Sequence, residues 1–250
     1  MPNDCNVKSL ARAMQVLECF SVEQPELGPS EIAKTLHMQK STVYNILSTF
    51  QKCGYLCKNP QTAKYYLGLK VLHLGYIVNS HHGLRDHFLP YLNQIAQQTH
   101  EVCYFGILND LEVLYLESAY PSGQQHTRNI LGERAPLYCT GIGKAMLAFM
   151  PPEQAEQVIN GPLKAYTGCT ICDPAVLRNH LEEIRENGYA VDNMEHEFGI
   201  RCVAVPVFNS AGKVFAAVSV SGPSPRFDPE TIIRDARMIS SILQPVQRCT

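Results

Sequence analysis

The sequence predicts an α+β chain with a winged helix-turn-helix head, a linker helix and a larger α/β body. Three observations carry this prediction. Apolar residues in the first 70 positions recur at helical spacing and end in a short strand, turn and strand. An uncharged apolar segment follows. From residue 101 onward, two-residue and helical periods take turns, the mark of grouped antiparallel strands with flanking helices. The predicted boundaries are 1–69 for the head, 70–83 for the linker helix and 84–250 for the body.

In the head, Leu10, Ala13, Met14, Leu17 and Phe20 form a first helical stripe. Gly28-Pro29 opens a second helix, with Pro in the first turn and Glu31 near the positive end of the helix dipole. Its stripe is Ile32, Ala33 and Leu36. A break of three or four residues at His37-Met38-Gln39 leads to a third stripe, Val43, Ile46, Leu47 and Phe50. Two short helices about a tight turn make the helix-turn-helix plan. The third helix then turns Lys40, Ser41, Thr42, Tyr44, Asn45 and Ser48 outward, and Gln39 stands at its start. Several of these can donate to phosphates or base edges, and none is acidic. The segment from Gly54 to Leu67 reads as a hairpin turning at Asn59–Ala63, with Lys58 and Lys64 placed as a wing on a duplex backbone needs them. A winged helix that docks protein instead of DNA is the competing reading.

The charge distribution separates these readings better than its total. The net charge is −2, with 45% apolar and 18% charged residues and no Trp. That composition excludes collagen, long disorder and a strongly basic nucleic-acid coat. Residues 1–70 nevertheless carry eight basic and five acidic residues, a net +3, and the remainder carries −5. The 54 residues between Glu31 and Asp86 contain no acid and seven bases. Such a local footprint suits a polyanion. No apolar run approaches the roughly 18 residues of a membrane span. No basic head followed by an apolar run marks a secretory signal, so the cytoplasm is expected.

The linker reads as a helix from Val71 to about His81. In the body, Leu84, Phe88, Leu89, Leu92, Ile95 and Ala96 form an amphipathic stripe. Val102–Leu108 and Glu112–Ser118 read as a hairpin turning at Asn109-Asp110. Leu131–Tyr138 is mixed, and Ile142–Phe149 is helical. Asp173-Pro174 caps a helix that stops at Gly188, and Asp228-Pro229 caps a final one. Tyr189–Asp192, Ile200–Phe208 and Lys213–Ser221 read as strands.

Several motifs invite chemistry. Gly141-Ile142-Gly143-Lys144 lacks the full spacing of a phosphate loop. Its first N–H groups could still hold a small anion, or its glycines could serve close packing. Cys169 and Cys172 form a lone CxxC, and His73, His81, His82 and His87 follow no known ligand spacing. No metal or cofactor is therefore expected. Cys202 with His196 and Asp192 can be drawn as a nucleophile triad, but no nucleophile turn accompanies them. Val203-Ala204-Val205 beside Cys202 reads as a half-buried strand, where thiols are usually inert. Ser219 and Ser221, two apart on a strand, share a face, as do Ile200 and Cys202.

Val7-x-Ser9-Leu10-x-Arg12-Ala13, Ser30-Glu31-Ile32-Ala33, Lys40-Ser41-Thr42-Val43-Tyr44 and Tyr65-x-Leu67-Gly68 resemble the N-terminal half of the IclR family of bacterial transcriptional regulators. The resemblance continues through Leu137-x-x-x-Gly141-Ile142-Gly143-Lys144-Ala145, Gly188-Tyr189-x-x-Asp192, Gly199-Ile200-x-Cys202 and Ser219-x-Ser221-Gly222. It implies a GAF-like effector-binding domain and no enzymatic activity. By position it implies an effector site with donors from the N–H groups of Gly141 and Ile142 and from Ser219 and Ser221. Asp192 and Cys202 would complete the polar set, and Thr127, Ala135 and Ile200 would form the shape-setting wall. Thr127 and Ala135 are smaller or more polar than the family's usual residues, which implies a larger, hydroxylated ligand. The head departs from the family with His37 for a usual Gly, Gln39 for a frequent Pro and Asn45 for a usual Arg. Asn suits adenine where Arg suits guanine, implying an unusual operator.

The expected function is that of a repressor of a catabolic operon. It would bind a partly palindromic duplex operator as a homodimer or dimer of dimers. A small carboxylate, such as a keto or sugar acid, would control that binding. The alternative is a metabolite-binding or redox-sensing protein with Cys202 as its working thiol.

Overall fold

The computed structural model of the chain describes residues 6–124 and 130–246, and of residues 79–82 it describes the backbone. The chain divides into two compact units, Met1–Gly83 and Leu84–Thr250.

The first unit contains α1 (Lys8–Glu18), α2 (Pro29–Thr35), α3 (Lys40–Lys52), β1 (Leu56–Lys58), β2 (Tyr65–Leu67) and α4 (Leu69–His82). Its core is Val16, Phe20, Leu27, Ile32, Val43, Leu47, Leu56 and Tyr65. The predicted stripe of α1 needs a correction. Val16 is fully buried, whereas Leu10 and Met14 are 59% and 46% exposed. Both sets fit a helical period, so spacing alone could not tell which face meets the core. In α2, the Glu31 carboxylate accepts from the Gly28 N–H at 2.6 Å, closing the first turn. The turn before α3 puts His37 at φ 52°, in the left-handed region that His tolerates better than most side chains. β1 and β2 pair antiparallel, and Leu27 bridges to Tyr65 to tie the hairpin to the helices.

The second unit begins with α5 (Leu84–Thr99). It continues through the strands β3 (Val102–Asn109), β4 (Glu112–Ala119) and β5 (Arg134–Pro136), then the helices α6 (Gly141–Leu147), α7 (Pro152–Ile159) and α8 (Pro174–Asn187). The strands β6 (Ala190–Asn193), β7 (Ile200–Phe208) and β8 (Val214–Pro223) and the helix α9 (Pro229–Leu243) complete it. Helix α7 adds to the predicted elements. The β3–β4 turn is one residue later than predicted. Asp110 and Leu111 hold it with φ 50° and 62°, the positive values that a type I′ two-residue hairpin turn demands of both central residues. Asp173 and Asp228 cap α8 and α9 as expected, and Gly188 ends α8 at φ 76°.

The sheet runs β5-β4-β3-β8-β7-β6 and is antiparallel throughout. Alternation sorts its residues to two faces. Val203, Val205 and Val207 of β7 and Val218 and Val220 of β8 join α5 and α9 in one core, where Phe88 stacks on Phe105 at 4.2 Å. Ala204 and Ala217 join α6, α7 and α8 in the other. The intervening residues near α6 are free to line a cavity.

Candidate nucleic-acid interface and ligand cavity

The first candidate site is the outer face of α3. Val43 and Leu47 bury one side of the helix, which leaves Gln39, Lys40, Ser41, Thr42, Tyr44 and Asn45 exposed on the other. Gln39 makes no side-chain cap, so its amide stays on the surface. In the hairpin, the Asn59 side chain accepts from Gln61 and Thr62 N–H groups and donates to Glu26, whose other oxygen accepts from Thr62. Lys58 is exposed, with its ammonium 5.5 Å from the Tyr65 ring centre. Lys64 pairs with Glu31 at 2.8 Å, so its charge is locally neutralised. Glu31 thus serves the wing as well as the start of α2, a link that helical spacing did not reveal.

The second candidate site is a cavity of about 370 Å³ in the second unit. Strand register builds its floor. Asp192 of β6 stands opposite Cys202 of β7, Cys202 opposite Ser221 of β8, and Ser221 opposite Val102 of β3. A parallel row joins Ala204, Ser219 and Tyr104. The Ser221 hydroxyl donates to the Cys202 sulfur at 2.8 Å. Gly141 and Ile142, at the start of α6, close one side. A Cβ on Gly141 would sit 3.3 Å from that of Cys202, so the helix start lies against the sheet. Tyr104 and Tyr115 meet edge to face at 6.0 Å, and Ile200, His196 and Glu197 also line the space. At one rim Arg226 pairs with Glu101, 2.6 Å from Nε to one oxygen and 2.7 Å from Nη2 to the other.

Of the expected effector residues, Gly141, Ile142, Asp192, Ile200, Cys202, Ser219 and Ser221 come together here. Thr127 lies outside the described residues. Ala135 does not line the cavity. It sits opposite Val113 on the edge strand β5, buried in the core under α6. Tyr104, Tyr115, Glu101, Arg226 and Glu197 were missed, and His196 was drawn with Cys202 and Asp192 only as a nucleophile triad. Tyr104 had a signal, being two residues from Val102 on one strand face. The Glu101–Arg226 pair spans 125 positions and had none.

Lys144 changes the reading of the Gly-x-Gly-Lys segment. Its side chain is fully buried and pairs with Glu195, and its ammonium lies 3.1 Å from His180 Nε2 on α8. It serves the interior, not an anion in the cavity. Gly143 serves packing, since a Cβ there would lie 2.5 Å from the Leu137 carbonyl oxygen. Burial pushes the His180 pKa down, and Lys144 adds to this. Glu195 in turn donates its backbone N–H to Asp192 at 2.7 Å. Burial pushes the Asp192 carboxyl up to about 6, against the lowering effects of that N–H and of Lys144. Burial also pushes the Cys202 thiol well above its usual range. Both the nucleophile and the redox readings need a thiolate, which this environment disfavours.

Cys169 and Cys172 are exposed thiols. Among the described residues, no three His, Cys, Asp or Glu side chains come together as metal ligands would, and no helix is long and apolar enough to cross a membrane.

Residues 9–60 match the family model for the IclR helix-turn-helix domain. Residues 77–247 match that for the bacterial transcriptional regulator IclR C-terminal region. The chain is similar to the HTH-type transcriptional regulator XynR of Escherichia coli, with 33% identity over 89% of this chain and 88% of that one. The crystal structure of an IclR transcriptional regulator from Alicyclobacillus acidocaldarius matches with a TM-score of 0.83 and 30% identity, covering 97% of this chain and 98% of that one. An IclR homologue from Microbacterium hydrocarbonoxydans, crystallised with 4-hydroxybenzoate, matches with a TM-score of 0.78 and 26% identity, covering 97% and 100%. The family and XynR are regulators of transcription, not enzymes.

Proposed function

The chain belongs to the IclR family of bacterial DNA-binding transcriptional regulators, and on that premise we propose that it is a cytoplasmic repressor of a catabolic operon. A small carboxylate metabolite, a keto or sugar acid, binds the cavity and releases the protein from its operator. The head, 1–69, reads duplex DNA; residues 70–83 link it to the effector-binding body, 84–250. Gln39, Ser41, Thr42, Tyr44 and Asn45 contact bases or adjacent phosphates, while Lys40, Lys58 and Lys64 contact the backbone. The operator is partly palindromic because two heads of a homodimer, alone or within a dimer of dimers, read it symmetrically.

The observation that carries the effector reading is the cross-strand row of Asp192, Cys202 and Ser221 in a concave space. It sets convergent polar groups among apolar walls, as small-molecule sites do. Ser219 and the N–H groups of Gly141 and Ile142 supply donors for an acid, Ser221 adds one when its hydroxyl turns from the Cys202 sulfur, and Ile200 supplies part of the apolar wall. That the Microbacterium homologue holds 4-hydroxybenzoate, an aromatic carboxylate, supports the ligand class. The oligomer is supported by exposed apolar side chains on α1 and on α4, among them Leu10, Leu72 and Tyr76. The effector acts through unequal affinity for the DNA-bound and released states.

The test is a thermal-shift and DNA-release assay with pyruvate, glyoxylate, D-gluconate and 4-hydroxybenzoate. At least one acid should raise the melting temperature of the protein and weaken its binding to duplexes selected from a random library. A Ser219→Ala, Ser221→Ala double variant should lose that response. A full response in the double variant would sink the assignment of the cavity.

A further inference from the structure

We infer that an anionic ligand enters this cavity together with one proton, which rests on the carboxyl of Asp192 and is shared with the ligand's own carboxylate. The inference rests on the ligand class proposed above.

The charges around the space are its basis. Glu101, Glu133, Asp192 and Glu197 all line the cavity, and among the described residues Arg226 is the only Lys or Arg that lines it. Both oxygens of Glu101 already engage that guanidinium. Lys144, the nearest buried cation to Asp192, is held by Glu195 behind the sheet-facing start of α6 and does not line the cavity. An anion arriving beside an ionised Asp192 would therefore meet like charge, and among the described residues each nearby cation is already engaged by a glutamate. Two carboxylates in one desolvated site do not both stay ionised, and a single shared proton turns their repulsion into a strong hydrogen bond.

Asp192 is the member of the set built to hold that proton. It is almost wholly buried, whereas Glu197 is exposed, and the likewise buried Glu101 has both oxygens taken by Arg226. The groups facing it are Lys144 of α6, Cys139 just before α6, Tyr115 of β4, Cys202 of β7 and Glu195 of the following turn. The backbone N–H groups of Glu195 and His196 and the Lys144 ammonium favour its charged form, and burial outweighs them to set its pKa near 6. Cys139, Tyr115 and Cys202 are themselves shifted toward their neutral forms by burial. The proton comes from solvent, no covalent bond forms, and the complex gains one proton for each ligand bound.

Isothermal titration calorimetry of the full-length protein with the four acids, in buffers of different ionisation enthalpy, tests this. Proton uptake approaching one per ligand is expected above pH 6, with affinity falling about tenfold per pH unit there and levelling off at lower pH. Asp192→Asn, which keeps the shape and a donor, should bind with little pH dependence and no uptake. His196→Gln, whatever its affinity, should keep the pH dependence and the uptake, because His196, the rival proton carrier, also lines the cavity. Uptake that disappears in His196→Gln overturns the inference. An acid that binds wild type with no uptake also overturns it and leaves the proposed function standing. Failure of every acid to bind at pH 5.5 and at pH 8, values on either side of the expected transition, overturns both.

Discussion

The two units handle polar chemistry in opposite ways. In the first, a core of eight side chains lies behind α3, and the groups available to DNA stand outside it in water. In the second, the sheet has core on both faces, and the polar groups of the cavity lie within that packing. A polar group in water can be exchanged at almost no cost to the fold. A polar group in the interior is tied to stability, because each charge there needs its partner. The first unit should therefore separate function from stability, and the second should couple them.

The largest effect expected from this contrast is at Lys144. Lys144→Met leaves the buried Glu195 carboxylate without its cation and should destabilise the second unit by about 3–5 kcal/mol. Urea unfolding would measure this, and Lys40→Ala should leave the transition unmoved. An equal loss from Lys40→Ala would break the comparison. Next comes pH. The folded carboxyl of Asp192 holds its proton to about 6, against a reference of 3.8. Between those values the folded state binds more protons than the unfolded one, so this contribution is whole below about pH 4 and lost as pH rises through 6. It amounts to about 2 kcal/mol after allowance for partial solvation. The stability difference between wild type and Asp192→Asn, followed from pH 4 to 7 (values spanning that window), should narrow or reverse accordingly.

Smaller effects are expected in the head and concern binding alone. Asn45→Ala should relax preference at one base pair by about 1–3 kcal/mol if the contact is bidentate, read by anisotropy on single-position operator variants. Lys40→Ala should weaken all duplexes alike and lower the salt slope by about one. Lys64→Ala should lower it less, since Glu31 already occupies that ammonium. Equal slopes for the two lysine variants would show that the ion pair opens fully on DNA.

What was legible in the sequence follows the reach of the interactions. Asp173-Pro174 and Asp228-Pro229 mark the two capped helices because a cap is made within three residues. The shared face of Ser219 and Ser221 follows from the two-residue period of a strand. The alignment of Asp192, Cys202 and Ser221 needs the register of three strands, and periodicity is silent on register. Their grouping came instead from the family resemblance, which also proposed Ala135 for the wall, where the fold buries it. In α1, two stripes were equally periodic, and only packing chose Val16 over Leu10 and Met14.

The alternation of β7 and β8 also bears on how such a protein diversifies. Cys202, Ser219 and Ser221 face the cavity, whereas Val203, Val218 and Val220 hold the opposite core. On the proposed effector reading, mutations at the first set would alter what is sensed, whereas mutations at the second would alter whether the domain stands. If that reading holds, a lineage could change its ligand through a few alternate positions while its scaffold stays under separate selection.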